Sequence, residues 1–136
     1  MERQVERTAR AIISLGSYVL LCRGKDEQYW HIPGGHCENG EAPADTVIRE
    51  IREETGREVA SLRYITTLPN DFDKAGVHIH EEMALYKATV SPVLQEDPAQ
   101  SKEAHLIFAW VPLADLARHR ILPPAVVPYI LFVAGA

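Results

Sequence analysis

The most informative stretch of this chain is residues 34–59, which reads GGHCENGEAPADTVIREIREETGREV. It predicts a glycine turn followed by one amphipathic helix over residues 42–55. Pro43 suits the first helical turn, where its missing N–H costs no hydrogen bond, and Gly56 is a typical C-terminal stop. The buried stripe of this helix is predicted from apolar residues at helical spacing, namely Ala44, Val47, Ile48 and Ile51.

The same helix carries three carboxylates on another side. Glu50, Glu53 and Glu54 are spaced i, i+3 and i+4, so they fall within an arc of about 100°. Like charges at this spacing repel, and Arg49 and Arg52 offset only part of that repulsion. A solvated acidic helix face would explain the run. A site for a hard divalent cation such as Mg²⁺ or Mn²⁺, which prefers oxygen ligands, would explain it equally well.

The rest of the chain predicts a mixed α/β fold. Strands are expected where β-branched and apolar residues concentrate, at 8–13 and 18–22 (as a hairpin), 29–32, 58–67, 77–90 and 104–111. Turn-rich or polar loops are expected at 68–76 and 92–102, a short helix at 113–119, and a final packing helix after the two prolines at 123 and 124. This order favours a mixed sheet with helices packed on its faces.

Length and charge limit the classes of protein to consider. The 136 residues suit a single domain, residues 1–136. Hydrophobic residues make up 46% and charged residues 24%, as in ordinary globular proteins. The net charge of −5 argues against nonspecific binding to nucleic acid polymers or anionic membranes. A polyanionic substrate would therefore need a bound cation to offset the carboxylates.

Cellular location and assembly are predicted from the cysteines and the C-terminal segment. Cys22 and Cys37 form neither a disulfide framework nor a zinc motif, which suggests reduced thiols, and no secretory signal is apparent, so we expect a cytoplasmic protein. The apolar run 121–136 is too short and too rich in proline to span a bilayer, which needs about 20 apolar residues. Its surplus apolar surface suggests a homodimer.

The pattern from Gly35 to Gly56 resembles the Nudix box, G-x5-E-x7-R-E-U-x-E-E-x-G-U, where U is a bulky apolar residue. The matching positions are Gly35, Glu41, Arg49, Glu50, Ile51, Glu53, Glu54 and Gly56. Only Arg57 departs, at a position that normally contributes packing, and Val59 is near enough to take over that packing. The segments 30–35 and 110–113 also look Nudix-like, so the resemblance extends beyond the box.

This resemblance implies an α/β/α sandwich and the hydrolysis of a nucleoside diphosphate linked to some other group. It implies that Mg²⁺, or Mn²⁺, is ligated by Glu50, Glu53, Glu54 and the carbonyl of Gly35. In some members Glu50 instead deprotonates the attacking water. Arg49 would orient the carboxylates through charge-assisted hydrogen bonds, and Glu41 would support Arg49 or the loop. No covalent nucleophile is required, which makes Cys37 a bystander.

Outside the box, the resemblance suggests substrate contacts without fixing them. Trp30 could stack on a base or simply pack. A further acidic residue could come from Glu81 or Glu103, with Glu82 and Glu96 as other candidates, although each could be a plain surface glutamate. We expect a small nucleotide-type substrate, with nucleoside triphosphates, ADP-ribose, nucleotide sugars and dinucleoside polyphosphates all open. The short chain favours nucleoside triphosphates or similarly small compounds.

Two other interpretations compete with an active hydrolase. The first is a binding or regulatory module of the same fold that has lost turnover. The second is an interaction protein of unrelated fold that displays a charged helix face. Because Glu50, Glu53 and Glu54 are all present, the sequence favours the enzyme.

Overall fold

The computed structural model describes residues 2–92 and 103–135. Its strands are β1 (Glu2–Ile12), β2 (Ser14–Leu15), β3 (Tyr18–Gly24), β4 (Gly34–His36), β5 (Glu58–Lys74), β6 (Val77–Ser91) and β7 (Leu106–Pro112). Its helices are α1 (Pro43–Thr55), a short 3-10 helix (Leu113–Arg118) and α2 (Val126–Ala134).

The strands of the described part form two sheets that share one layer. The larger sheet has the order β4-β1-β6-β5, with β1 and β6 parallel and the other pairs antiparallel. The smaller, antiparallel sheet has the order β2-β3-β7. A mixed sheet with helices on its faces is the predicted architecture, and it is confirmed.

Alternate residues of the same strands face opposite helices, because side chains along a strand point to the two faces of a sheet in turn. One core cluster contains Ala9 of β1 and packs against Val47 and Ile51 of α1. The other cluster contains Ile12 of β1 and packs against Val126 and Ile130 of α2. The strands are therefore sandwiched between α1 and α2.

Helix α1 begins and ends where its sequence predicts. Pro43 occupies the first turn, and Gly56 has the left-handed φ of 72° and donates its N–H to the carbonyl oxygen of Arg52 at 2.9 Å. Of the predicted stripe, Val47 and Ile51 are completely buried. Glu54 is also buried, so the helix carries one carboxylate toward the protein interior.

The predicted hairpin of 8–13 with 18–22 is wrong in its pairing. β1 continues into the larger sheet, and it is the two-residue β2 that pairs with β3 across a turn at Gly16. β1 pairs instead with β4 and with β6. A local hairpin signal cannot reveal this choice, because the partners of β1 are distant in sequence.

The strand predicted at 29–32 is reduced to two isolated bridges, Cys22 with His31 and Trp30 with Ile121. Regular pairing with β1 begins a few residues later, in the glycine segment of β4. A Cβ at Gly34 would overlap the carbonyl oxygen of Ala9, and Gly34 has a φ of 144°. The absence of a side chain is therefore what allows β4 to lie against β1.

The loop predicted at 68–76 is also wrong, because β5 continues to Lys74 and pairs with β6 along its whole length. Pro69 is tolerated because β5 is the edge strand of its sheet. Only Ala75 and Gly76, both with positive φ, form the turn. Of the polar loop predicted at 92–102, residues 93–102 lie outside the described residues. No described helix has the length and apolar character needed to cross a membrane.

Candidate active site

Glu50 lies directly over the backbone of the glycine turn. A Cβ at Gly35 would be 2.6 Å from the carboxyl carbon of Glu50 and 2.7 Å from its Oε1. Any side chain at Gly35 would therefore displace this carboxylate. The predicted proximity of the turn to the acidic helix is a consequence of the β1–β4 pairing, which holds Gly35 opposite Ala9.

Arg49 bonds to three of the box carboxylates. Its Nε and Nη2 donate to the two carboxylate oxygens of Glu41, each at 2.9 Å. Its Nη1 donates to Oε1 of Glu50 at 2.9 Å and to Oε2 of Glu53 at 3.3 Å. Nη2 also donates to the backbone oxygen of His36 at 3.0 Å, which ties the helix to the glycine turn. One guanidinium thus fixes the relative positions of loop and helix.

Glu41 is held from several sides at the start of the helix. Besides Arg49, its Oε1 accepts hydrogen bonds from the hydroxyl of Thr46 at 2.7 Å and from the backbone N–H of Glu38 at 3.0 Å. These donors, with Arg49 first, lower the pKa of Glu41 to about 2. Glu41 is therefore ionised and bonds to both Arg49 and the loop. The resemblance had suggested one or the other as its partner.

Glu50 and Glu54 occupy surroundings that disfavour negative charge. Burial raises the pKa of Glu50. Burial, followed by repulsion from Glu50, raises the pKa of Glu54 to about 8, although Arg10 and the backbone N–H of Gly34 act in the opposite direction. Glu103 lies near enough to raise the pKa of both glutamates. Three carboxylates that repel one another at one place are arranged to suit an added cation.

These residues fit a divalent cation by their donor chemistry but not by the present arrangement of their side chains. As the side chains stand, residues 2–92 and 103–135 contain no group of three or more His, Cys, Asp or Glu residues gathered closely enough to hold one. The donor chemistry nevertheless fits, because the Glu50 carboxylate lies on a turn where no side chain blocks approach. Arg49 is bonded to Glu50 and Glu53, and these carboxylates would hold a cation together with Glu54 only after rearrangement.

A cavity of about 600 Å³ borders the glycine turn. Two wall residues border the glycine turn. Arg10 of β1 pairs with Gly34, and His36 follows Gly35 in β4. The rest of the wall is formed by Glu6 of β1, by the end of the β5–β6 hairpin, by residues 27, 29 and 31, and by residues 122–124. This volume is typical of a small-ligand site.

Glu81 lies in this cavity wall and is 8% exposed. Its Oε2 accepts a hydrogen bond from the Thr8 hydroxyl at 2.7 Å, and its Oε1 accepts one from Nδ2 of Asn70 at 2.9 Å. The three residues occupy neighbouring strands, β1, β6 and β5. Glu81 is therefore separate from the carboxylates of α1.

The other residues proposed for substrate contact lie in different surroundings. Trp30 is outside the cavity wall, with Arg23 over its ring face at 5.2 Å and the ring of His119 at its edge, 6.3 Å away.

Glu103 lies beside the α1 carboxylates and forms an ion pair with His105 at 3.3 Å. Glu82 faces solvent and pairs with His80 at 3.1 Å. Glu96 is outside the described residues.

The sequence did not single out Thr8, Arg10 or Asn70. Thr8 and Arg10 alternate with the buried Ala9 and Ala11 along β1, and this period of two could have indicated a second, functional face. Asn70 lies in the segment predicted as a loop. Asn70 lies opposite Glu81 in the β5–β6 pairing, and no local sequence signal indicates that long-range contact.

Comparison with known proteins gives one family and several relatives. The family model described as NUDIX domain matches residues 5–130. An uncharacterized Nudix hydrolase of Bacillus subtilis, YvcI, is 28% identical over 121 residues, which cover 88% of this chain and 73% of that protein. The putative ADP-ribose pyrophosphatase YjhB of Bacillus subtilis is 37% identical over 59 residues, 43% of this chain and 28% of YjhB. This chain therefore spans less than a third of the second relative.

The fold is shared with solved structures. The MutT NUDIX hydrolase from Burkholderia pseudomallei superposes with a TM-score of 0.72 over 94% of this chain and 98% of that one, at 22% sequence identity. At this identity the likeness concerns the fold alone. It agrees with the mixed sheet between helices described above.

Proposed function

This chain belongs to the Nudix hydrolase family, and we propose that it is a divalent-cation-dependent pyrophosphohydrolase acting on a nucleotide-type substrate, a nucleoside diphosphate linked to another group. The proposal rests on one observation above all. Arg49 joins Glu41, Glu50 and Glu53 into one hydrogen-bonded network, and Glu50 lies on the bare backbone of Gly35.

A plain acidic helix face would not need this network. Surface charge runs are usually solvated, whereas Glu41 and Glu50 are only 15% and 18% exposed and Glu54 is 4% exposed. Burying several carboxylates against one guanidinium is costly unless further positive charge arrives. That cost supports a site that is completed by a cation and a substrate.

The residues divide the chemistry between them. Glu50, Glu53 and Glu54, with the carbonyl of Gly35, would hold the cation, for which we propose Mg²⁺ or Mn²⁺. When bound, this cation supplies charge neutralisation for the phosphate oxygens and acidifies water. Arg49 would orient Glu50 and Glu53 through its hydrogen bonds, and Glu41 would hold Arg49 in place.

The hydrolytic step needs water and a proton acceptor. Water attacks one phosphorus of the diphosphate, the bond from that phosphorus to the bridging oxygen breaks, and two phosphate-bearing products and one proton leave. We propose Glu50 as the proton acceptor, the alternative to its role as a cation ligand, because its carboxylate lies on the backbone of Gly35. The cavity beyond Arg10 and His36 has room for the nucleoside part of the substrate.

A panel assay tests the proposal. The protein is incubated with Mg²⁺ and with nucleoside triphosphates, ADP-ribose, a nucleotide sugar and a dinucleoside polyphosphate, and the products are separated by chromatography. We expect cleavage at a diphosphate linkage in at least one compound and none in EDTA. Absence of cleavage across the panel, together with no cation binding by titration, would instead favour a binding module.

Glu53→Gln separates the site from a charged surface. Glu53 is 48% exposed, so its loss should leave folding intact while removing a cation ligand and a partner of Arg49. We expect turnover to fall by more than about 10-fold, since even outer partners of metal sites contribute 10- to 100-fold. Glu58→Gln is the matched control, because Glu58 pairs with Arg52 on the surface. Equal activity of the two variants would remove Glu53 from the site.

Three broader features complete the proposal. We propose that the whole chain, residues 1–136, is a single Nudix domain, that it is cytoplasmic, consistent with two free cysteines, and that it acts on small molecules rather than nucleic acid polymers. We also propose a homodimer, supported by the exposed apolar residues Leu131 and Phe132 on α2. Light scattering that shows only monomer at high concentration would eliminate the dimer.

A further inference from the structure

We infer that the cavity beside the glycine turn recognises a guanine-type base, and that Glu81 is the residue that reads it. Its carboxylate would accept the two adjacent N–H donors of the base edge, at N1 and at the N2 amino group. This inference rests on the proposed function, because it names the substrate class of the same site. It assigns a specificity role to a glutamate outside the Nudix box.

The hydrogen bonds of Glu81 leave acceptor capacity on both of its oxygens. A carboxylate has about four lone-pair sites, and Thr8 and Asn70 use one on each oxygen. Both partners donate, so each oxygen of Glu81 already acts as an acceptor, and the two bonds fix the orientation of the group. A ligand with two neighbouring N–H groups could then bind both oxygens at once, in the bidentate manner that carboxylates favour.

The fold itself gives little reason for a carboxylate at this position. Ile79 and Met83, which precede and follow Glu81 on the same face of β6, are apolar and buried. A leucine would continue that face, whereas a buried carboxylate costs free energy even when neutral donors bond to it. A residue that is expensive for folding and lines a cavity is typical of a recognition site.

The neighbouring surfaces suit a flat heterocycle. Phe72, Ile79, Met83 and Leu122 give the cavity an apolar wall close to Glu81. The polar group in this part of the wall is the Glu81 carboxylate, an acceptor, which matches the donor edge of guanine and not the N1 acceptor of adenine.

The charges of the cavity orient a nucleotide within it. Glu6, Glu27, Asp73 and Glu81 outnumber the cations of the wall, Arg10 and Lys74. A wall with this excess of carboxylates disfavours phosphates inside the cavity but attracts the positive N–H edge of a base. The phosphates would therefore point toward Gly35 and the carboxylates of α1, where a cation is expected. Base and scissile linkage would then lie at opposite ends of one continuous site.

Binding of nucleoside monophosphates without metal tests the inference separately from turnover. GMP, IMP, AMP and 2′-deoxy-GMP are titrated into the protein in EDTA, and dissociation constants are measured from NMR chemical-shift changes. IMP lacks only the N2 amino group of GMP. We expect GMP to bind about 10-fold more tightly than IMP, the loss expected for one hydrogen bond to a charged group, and AMP more weakly still. Equal constants for GMP and IMP would overturn the assignment.

Substitutions locate the discrimination at Glu81. Glu81→Gln replaces one acceptor oxygen by a donor, so the preference of GMP over IMP should fall to about one. Asn70→Ser, which removes a partner of Glu81 on the exposed edge strand, should reduce the preference less and provides a second variant if Glu81→Gln unfolds. Glu82→Gln is the control, because Glu82 is adjacent in sequence but solvent-facing. A preference that survives Glu81→Gln in a folded protein would contradict the inference.

The outcomes separate this inference from the proposed function. Selective GMP binding without hydrolysis of any nucleotide would leave the base site standing and refute the enzyme. Hydrolysis without discrimination between GMP and IMP would support the enzyme and refute the base site. A loss of binding with 2′-deoxy-GMP that disappears in Glu81→Gln would show that Glu81 reads the ribose hydroxyls, which also overturns the inference.

Discussion

Two buried glutamates, Glu54 of α1 and Glu81 of β6, lie in contrasting surroundings. Glu54 shares its environment with Glu50 and Glu103, and their repulsion adds to burial in raising its pKa to about 8. Glu81 is surrounded by neutral donors, which Thr8 and Asn70 supply at 2.7 Å and 2.9 Å. The first arrangement calls for positive charge, whereas the second calls only for hydrogen-bond donors.

This difference indicates what each region is built to bind. Carboxylates that repel one another, next to a turn without side chains, suit a divalent cation and the phosphates that accompany it. A single carboxylate held flat by uncharged partners suits the N–H edge of an uncharged ring. The two regions meet at Arg10 and His36, which border the glycine turn on one side and the cavity on the other.

The largest effect should come from Glu54→Gln. The substitution removes an oxygen ligand and a charge from the crowded cluster, so we expect kcat/KM to fall by more than about 100-fold, beyond the 10- to 100-fold of outer-sphere residues. The melting temperature in EDTA should stay equal or rise, because the raised pKa of Glu54 means that burying this glutamate costs free energy at neutral pH, and a neutral glutamine avoids that cost. Activity within a few-fold of wild type would show that Glu54 has no part in the chemistry.

Arg49→Lys should have the next largest effect. Lysine keeps the charge but cannot form the two parallel bonds to Glu41 while also bonding to Glu50. We expect a 10- to 100-fold loss of kcat and a decrease of about 2 kcal/mol in the free energy of unfolding measured in urea. Arg52→Lys is the matched control, since its bidentate pair with Glu58 is solvent-exposed and screened, and its loss should change stability much less. Similar losses in both variants would refute the special position of Arg49.

The smallest effect concerns pH and the cavity wall. Burial, assisted by the charge of Arg10, lowers the pKa of His31 from 6.5 to about 4. The unfolded chain therefore takes up this proton at a higher pH than the folded chain, so stability is lost as pH falls from about 6.5 to about 4. At pH 5 the wild type should lose roughly 2 kcal/mol more than His31→Gln, relative to pH 7.5, in urea unfolding. If the stability of wild type and His31→Gln depended on pH in the same way, His31 would have the same pKa in the folded and the unfolded protein.

The sequence was sufficient for the fold class and for the centre of the site, because the relevant signals are local. Pro43 and Gly56 bound α1 through backbone chemistry that belongs to those residues alone. Glu41 and Arg49 were paired through the resemblance, and their contact lies within one loop and one helix. Such contacts depend little on the rest of the chain.

The remaining features depend on contacts between distant segments. Glu54 was expected beside Glu53 on an acidic face, yet it follows Ile51 by three residues and lies on the buried edge of the helix. Asn70 and Pro69 read as loop residues because turn propensity ignores the cross-strand partners of β5. Glu81 became distinctive only when the register of β1, β6 and β5 placed Thr8 and Asn70 on either side of it.

Cation binding tests the contrast between Glu54 and Glu81 most directly. Mn²⁺ is titrated into wild type, Glu54→Gln and Glu81→Gln, and free Mn²⁺ is measured by electron paramagnetic resonance without any nucleotide. We expect wild type and Glu81→Gln to bind Mn²⁺ with equal affinity, and Glu54→Gln to bind it at least about 10-fold more weakly. Equal Mn²⁺ affinity in wild type and Glu54→Gln, or a loss confined to Glu81→Gln, would contradict a metal site on α1.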